Sequence, residues 1–327
     1  MKGGDILINN IREQASRSLR NVDRKFLELT LDNSCSQAEL DNILREWDID
    51  NTPIRTNLLI ALLMKSRQDL VFPAAVTPRL NGVLSYCRFK EIQTRASIST
   101  ISNSLKEKNI PFLLAGDMAM RGYFPDYQRW IGGLDILVPA SEYDLALETL
   151  SSMVKDKQVN LHKAWDNSVM RRANGQLPCP EDLVFLTLVD VYETIIRKGS
   201  LKNNLNLIVD INKLAEKSGG LDHGIIWENA CSAGVEFQVF FAEAVVGSVL
   251  HGVLPDNLPE SSLSEKQLEK KYVDFLFKRD VIYGAEEPLS SRRRFWISAL
   301  TAGSNAGIIP SALKKHIWRR HILKHRQ

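Results

Sequence analysis

Apolar residues recur at helical spacing through most of the first hundred positions. In "INNIREQASRSLRNVDRKFLELTL" the pattern is carried by Ile8, Ile11, Leu19, Val22, Phe26 and Leu27, and it predicts helix. "TPIRTNLLIALLMKSRQDL" predicts another, with Thr52 as its cap and Pro53 at its first helical position. "ASISTISNSLKEKN" predicts an amphipathic helix. The pattern then changes. "IPFLLAG", Ile110 to Gly116, is a short apolar run that stops at glycine, which predicts a buried strand followed by a short helix over "DMAMRGYF".

After the loop "PDYQRWIGG", the run "LDILV" from Leu134 to Val138 predicts a second buried strand, with one carboxylate, Asp135, inside it. A helix over "SEYDLALETLSSM" follows, opened by Ser141 with Glu142 and Asp144 in its first turn. "QVNLHKAW" alternates and predicts a third strand. "LPCPEDLVFLTLVDVYETIIRKG" has a helix start at Pro180, Glu181 and Asp182 and a stop at Gly199. From there to the end the chain reads as helices broken by "SGG", "LPDNLPESS" and "GAEEPLSS". The expected fold class is α+β and mostly helical, with a small mixed sheet between helical regions. The expected divisions are 1–105 (helical), 106–176 (β/α core) and 177–327 (helical with a basic tail). A small sheet inside a helical protein is where a site is expected.

Composition adds only the class. The chain has 327 residues, 44% hydrophobic and 25% charged, which fits a soluble globular protein. "MKGGDILINNIREQ" lacks the apolar run of a signal peptide. The most apolar window, "VFFAEAVVGSVLHGVL", contains Glu243 and His251 and is too short to span a bilayer. It predicts a buried helix, no membrane span and a cytoplasmic protein. Cys35, Cys87, Cys179 and Cys231 are far apart without CxxC spacing, so free thiols are expected rather than a zinc site or disulfides.

Charge changes the picture more. The net charge is +3, but the segment from Pro288 onward holds nine of the 42 basic residues and none of the 39 acidic ones. The rest of the chain is therefore six charges negative. Arg292, Arg293, Arg294, Lys314, Lys315, Arg319 and Arg320, interleaved with Trp296 and Trp318, form a candidate surface for nucleic acid or an acidic partner. The same residues also suit a solvated terminal helix packed on the acidic body.

"NIPFLLAGDMAM", "YFPD" and "RWIGGLDILV", in that order, resemble the uncharacterised bacterial nucleotidyltransferase family with the polymerase-β-type fold. "VNLHKAW", "PEDLVFLTL" and "NLNLIVDINKLAEKSGGLDHGIIWENACSAG", with Asp210 and Trp227, fit its later strand and C-terminal helices. The resemblance covers roughly residues 59–259. It implies transfer of a nucleotide from a nucleoside triphosphate with two magnesium ions clamping the attacking and leaving oxygens. Magnesium takes hard oxygen ligands, so such enzymes supply carboxylates, and an Asp-x-Asp on a strand puts two on one face. A glycine after the first strand lets backbone and a helix N-terminus approach the triphosphate.

Residue by residue, the resemblance implies a degenerate site. Asp135 falls on the second aspartate of the pair and is the candidate catalytic and metal-binding residue. Gly133 falls on the first and Asn160 on the third carboxylate. Gly116 matches the family glycine, Ala115 replaces its lysine, and Asp117 would face incoming phosphates. Arg129 falls on the family arginine. Gly116, Asp117, Arg129, Gly133, Asn160 and His162 are the candidate nucleotide- or ligand-binding residues. Asp117 or Asp126 could replace a missing ligand. Asp135 could instead pair with Arg129, since a lone buried carboxylate needs a partner, and His162 could be a satisfied core histidine.

The expected function is a non-catalytic or weakly active accessory protein that binds a nucleotide, peptide or protein partner. One alternative is an active divergent enzyme moving a nucleotide to a small-molecule, RNA or protein acceptor, with magnesium and a nucleoside triphosphate. The other is a nucleic-acid-binding or assembly protein working through its tail.

Overall fold

The computed structural model describes residues 3–19, 21–31, 36–125, 129–156, 159–198, 200–201, 204–250 and 264–277. Five helices come first: α1 (Gly3–Ser16), α2 (Asn21–Leu31), α3 (Gln37–Glu46), α4 (Ile54–Ser66) and α5 (Thr77–Glu107). The middle of the chain holds β1 (Leu113–Ala115), α6 (Gly116–Tyr123), β2 (Leu134–Val138), α7 (Tyr143–Thr149), α8 (Ser151–Lys155), β3 (Val159–Lys163) and α9 (Asn167–Arg172). Five more helices follow: α10 (Pro180–Lys198), α11 (Asn206–Ser218), α12 (His223–Ala233), α13 (Glu236–Gly247) and α14 (Glu265–Phe277). The protein is mostly helical with one small mixed sheet, as its sequence pattern predicts.

Local chemistry sets the helix ends. Ser36 and Glu39 form a reciprocal capping box at the start of α3. Pro180 begins α10 with Glu181 and Asp182 in its first turn, where acidic groups complement the helix dipole. α11 stops at Gly219, whose φ of 70° suits glycine. Two expected starts differ. Pro53 occupies the cap position of α4, so the helix begins at Ile54 and Thr52 does not cap it. Ser141 lies in a 3-10 turn over Ala140–Glu142 that precedes α7 and offers no side-chain cap.

The sheet has the order β1-β2-β3. β1 runs antiparallel to β2, with Ala115 opposite Asp135. β2 runs parallel to β3, with Asp135 beside Asn160 and Leu137 beside His162. Alternation then divides β2. Leu134, Ile136 and Val138 join a core with Ile101 and Leu105 of α5, Ala146 of α7 and Val159 of β3. Leu137 turns to the other face with Leu113, Ala115 and Val169. Asp135 shares that second face. The largest core draws on both ends of the chain, from Ile11, Phe26 and Leu59 to Leu188, Ile208 and Phe241.

The expected apolar helix is α13, in which Phe237, Phe240, Phe241 and Val245 are buried. No helix of the described residues is long and apolar enough to cross a membrane. Cys87, Cys179 and Cys231 are free thiols, and burial pushes Cys87 and Cys179 up to about 12. Cys35, Asp126, Gly199 and the basic tail, with Arg292, Arg293, Arg294, Trp296, Lys314, Lys315, Trp318, Arg319 and Arg320, lie outside the described residues.

Candidate functional site

Two polar clusters adjoin where β1 gives way to α6. The first is built on Asp117, in the first turn of α6. Arg129 donates through Nε to Asp117 Oδ1 at 2.8 Å, and the backbone N–H of Gly132 donates to Oδ2 at 3.2 Å. Arg55 of α4 stands 3.7 Å from the same carboxylate. Through Nη1, Arg129 also bonds Asp210 of α11. Arg129 is 5% exposed and Asp210 fully buried, so one guanidinium bridges two carboxylates inside the protein. Burial pushes the Asp210 carboxyl up from its ordinary value, and Arg129 works against that shift.

This cluster rules out one alternative. Arg129 does not pair with Asp135, because its fork is committed to Asp117 and Asp210. Asp117 itself is compensated by Arg129 and Arg55. Gly132 lets the Arg55 guanidinium come close: a Cβ there would meet Arg55 Nη2 at 2.6 Å and Trp130 Nε1 at 3.1 Å, so the arginine would have to shift. Trp130 in turn stacks on Tyr86 of α5, with ring centroids 5.3 Å apart.

The second cluster is built on Asp135. The parallel register sets Asn160 beside it and His162 two residues further on the same face. Asn160 Nδ2 donates to Asp135 Oδ1 at 2.9 Å, and His162 Nε2 lies 3.2 Å from the same oxygen. Burial by itself would raise the Asp135 carboxyl. The bonds from His162 and Asn160, with the charges of His162 and Arg55, outweigh it and hold the group below its ordinary value. His162 moves the opposite way. Its bond to Asp135 raises it, burial opposes, and the charges of Asp135 and Asp190 add to the rise.

Gly116 closes the other side of Asp135. Its φ is +53°, and a Cβ would stand 2.8 Å from Asp135 Oδ2. The glycine therefore lets the chain turn from β1 into α6 against the carboxylate. Gly133 is less constrained, since a Cβ there would meet only Asn160 Nδ2, at 3.3 Å. Gly133 and Asn160, which stand where the resemblance expects the first and third carboxylates, are thus neighbours in space.

Asp190 of α10 completes the cluster, and nothing in its local sequence points to it. It sits among the polar positions of a long amphipathic helix. Its carboxyl is pushed up to about 6, first by partial removal from water and then by the charges of Asp135 and Asp117, against Arg55 and His162. The residue is exposed in area. Arg55 is the other residue that sequence reasoning passes over, because it reads as an ordinary polar position on α4.

Chemically, Asp135 has its Oδ1 engaged by two protein donors. Magnesium prefers several oxygen ligands, and an amide nitrogen and an imidazole aimed at the only strand carboxylate do not supply them. Among the described residues, no group of three His, Cys, Asp or Glu side chains is placed to hold a metal ion. The residues present do not fit a two-magnesium centre. They do fit a polar face in which His162 bonds a fixed carboxylate and Asp190 feels the charge of both.

No family model, no curated protein and no solved structure matches the chain.

Proposed function

We propose that this chain is a divergent nucleotidyltransferase-like scaffold that has given up metal-dependent transfer and acts as a binding or accessory protein. The carrying observation is the Asp135 carboxylate, held by Asn160 Nδ2 and His162 Nε2 where the expected enzyme would hold magnesium. A carboxylate already hydrogen-bonded to protein donors and held below its ordinary value is a poor starting point for a cation site with only one such ligand. The order of the motifs supports the scaffold, and Ala115, Gly133 and Asn160 support the loss of chemistry. The ligand class is a nucleotide, a peptide or a protein surface with groups that complement Arg55, His162 and Asp190.

Two measurements test this reading. The first is calorimetry and pyrophosphate release with ATP, GTP, CTP and UTP in the presence of magnesium. The expected result is no release above background, with or without Asp135→Ala. Robust release that disappears in Asp135→Ala overturns the proposal. The second is the double variant Gly133→Asp with Asn160→Asp. If the scaffold is of this type, restoring both carboxylates creates magnesium binding that the parent chain lacks.

Asp190 favours one second reading. It is a further carboxylate electrostatically coupled to Asp135, and it could serve a weakly active enzyme as a replacement for a lost ligand. That reading expects residual release that falls in Asp190→Asn.

A further inference from the structure

α5 carries two lines of residues at alternating steps of three and four. The inward line includes Leu80, Leu84, Cys87, Glu91, Ile98 and Ile101, all buried or half-buried. The outward line is Gly82, Ser85, Phe89, Ile92, Ala96 and Ser99, and every one is exposed. It holds no charged residue. A helix face that meets only water is ordinarily polar and charged. Here Phe89 is 53% exposed and Ile92 61%, with Tyr86 at 42% on the margin. These are three of only six large apolar residues exposed among the described residues.

Basic residues flank this line. Arg88 and Arg95 lie along one side, and on the other half-buried Lys90 lies beyond Tyr86, over whose ring it stands at 5.9 Å. The acidic residue of the same stretch, Glu91, is buried and already accepts Arg121 at 2.7 Å and pairs with Arg95 at 2.8 Å. The surface is therefore an uncharged seam, about 26 Å long at 1.5 Å per residue, flanked by the positive charges of Arg88 and, beyond Tyr86, Lys90, with Arg95 paired to Glu91.

We propose that the outward face of α5 from Gly82 to Ser99 docks an amphipathic helix of a partner protein, with an apolar seam and acidic flanks. A seam repeating at three and four residues is what a second helix reads, and flanking charges select the partner. Charge decides among occupants. A second copy of this chain, paired antiparallel about Ile92, would set Arg88 near Arg95, and paired parallel would set like residues together. The chain's own segment after Pro288 is equally basic. Both bring positive charge to positive margins, whereas acidic flanks complement them.

The test uses the full chain and a synthetic helical peptide of about four heptads, with Leu and Ala along its seam and Glu on both flanks. Fluorescence anisotropy at low and high salt measures binding. Expected is saturable binding that weakens with salt, falls at least about tenfold in Phe89→Ser with Ile92→Ser, and falls several-fold in Arg88→Glu. These positions are exposed, and an unchanged circular-dichroism melt confirms that the variants fold. A peptide with Lys in place of Glu should not bind. The proposal is overturned if the full chain fails to bind the Glu peptide, if the Lys peptide binds equally well, or if the double variant binds undiminished. Sedimentation showing self-association that the double variant abolishes, without peptide binding, would assign the face to a second copy instead.

Discussion

The two polar clusters at the sheet use the same kinds of side chain for different ends. In the Asp117–Arg129–Asp210 cluster every charged group is buried or nearly so, and each carboxylate has a guanidinium partner. In the Asp135–Asn160–His162–Asp190 cluster the pair His162–Asp135 has side chains 51% and 31% exposed, and Asp190 is exposed, with the charges of Asp135 and Asp117 outweighing those of Arg55 and His162 on it. The first cluster costs desolvation and repays it only while whole, so it behaves as a structural tie. The second keeps groups that change charge near neutral pH, so it can respond to a ligand. Position in the fold, and not residue type, separates a strut from a site.

The sharpest way to break this comparison is Arg129→Ala. It leaves Asp117 and Asp210 buried without their shared partner, and a loss of about 3–5 kcal/mol is expected in urea unfolding. A loss below about 1 kcal/mol would place Arg129 with the responsive cluster instead. Gly116→Ala comes next. The φ of +53° and the 2.8 Å approach to Asp135 Oδ2 should together cost about 1–2 kcal/mol, read from the same unfolding curves.

The pH response sharpens the contrast further. Asp190 titrates near 6 in the folded chain and near 3.8 unfolded, so the folded state binds more protons between those values. Stability should therefore fall as pH rises through that window. Asp190→Asn should remove this slope and stabilise the protein at pH 7 by roughly 0.5–1 kcal/mol once solvent screening is allowed for. His162 has the same sign in a higher window. Its raised value means that the stability it lends to the Asp135 pair is full below the ordinary histidine range and is lost as pH rises through the folded value. Proton NMR should show the His162 ring titrating above 6.5, and Asp135→Asn should bring it down. The smallest effect is expected at Gly133→Ala, within about 0.5 kcal/mol, because Asn160 Nδ2 at 3.3 Å is its one close neighbour.

Much of this was readable in the chain. Two short apolar runs predicted β1 and β2, because a strand covered on both faces is apolar throughout, and the alternation of "QVNLHKAW" predicted β3, which buries Val159 and leaves Asn160 and His162 exposed. Asp135, Asn160 and His162 could be singled out, since the strands that carry them are local features. Their pairing could not, because it depends on the parallel register between β2 and β3. The partners of Arg129 were hidden for a similar reason. Asp210 lies 81 residues away, and only the packing of α11 brings it to the loop. Arg55 and Asp190 gave no signal, each being one polar residue on an amphipathic helix whose rotation is fixed by the core.

The central claim is that Asp135 belongs to protein donors and not to a metal. Paramagnetic broadening by manganese with ATP reads this most directly, through the His162 ring signals beside the carboxylate. The account predicts that micromolar manganese–ATP broadens those signals no more in the parent chain than in Asp135→Asn. Selective broadening of His162 that vanishes in Asp135→Asn would contradict it.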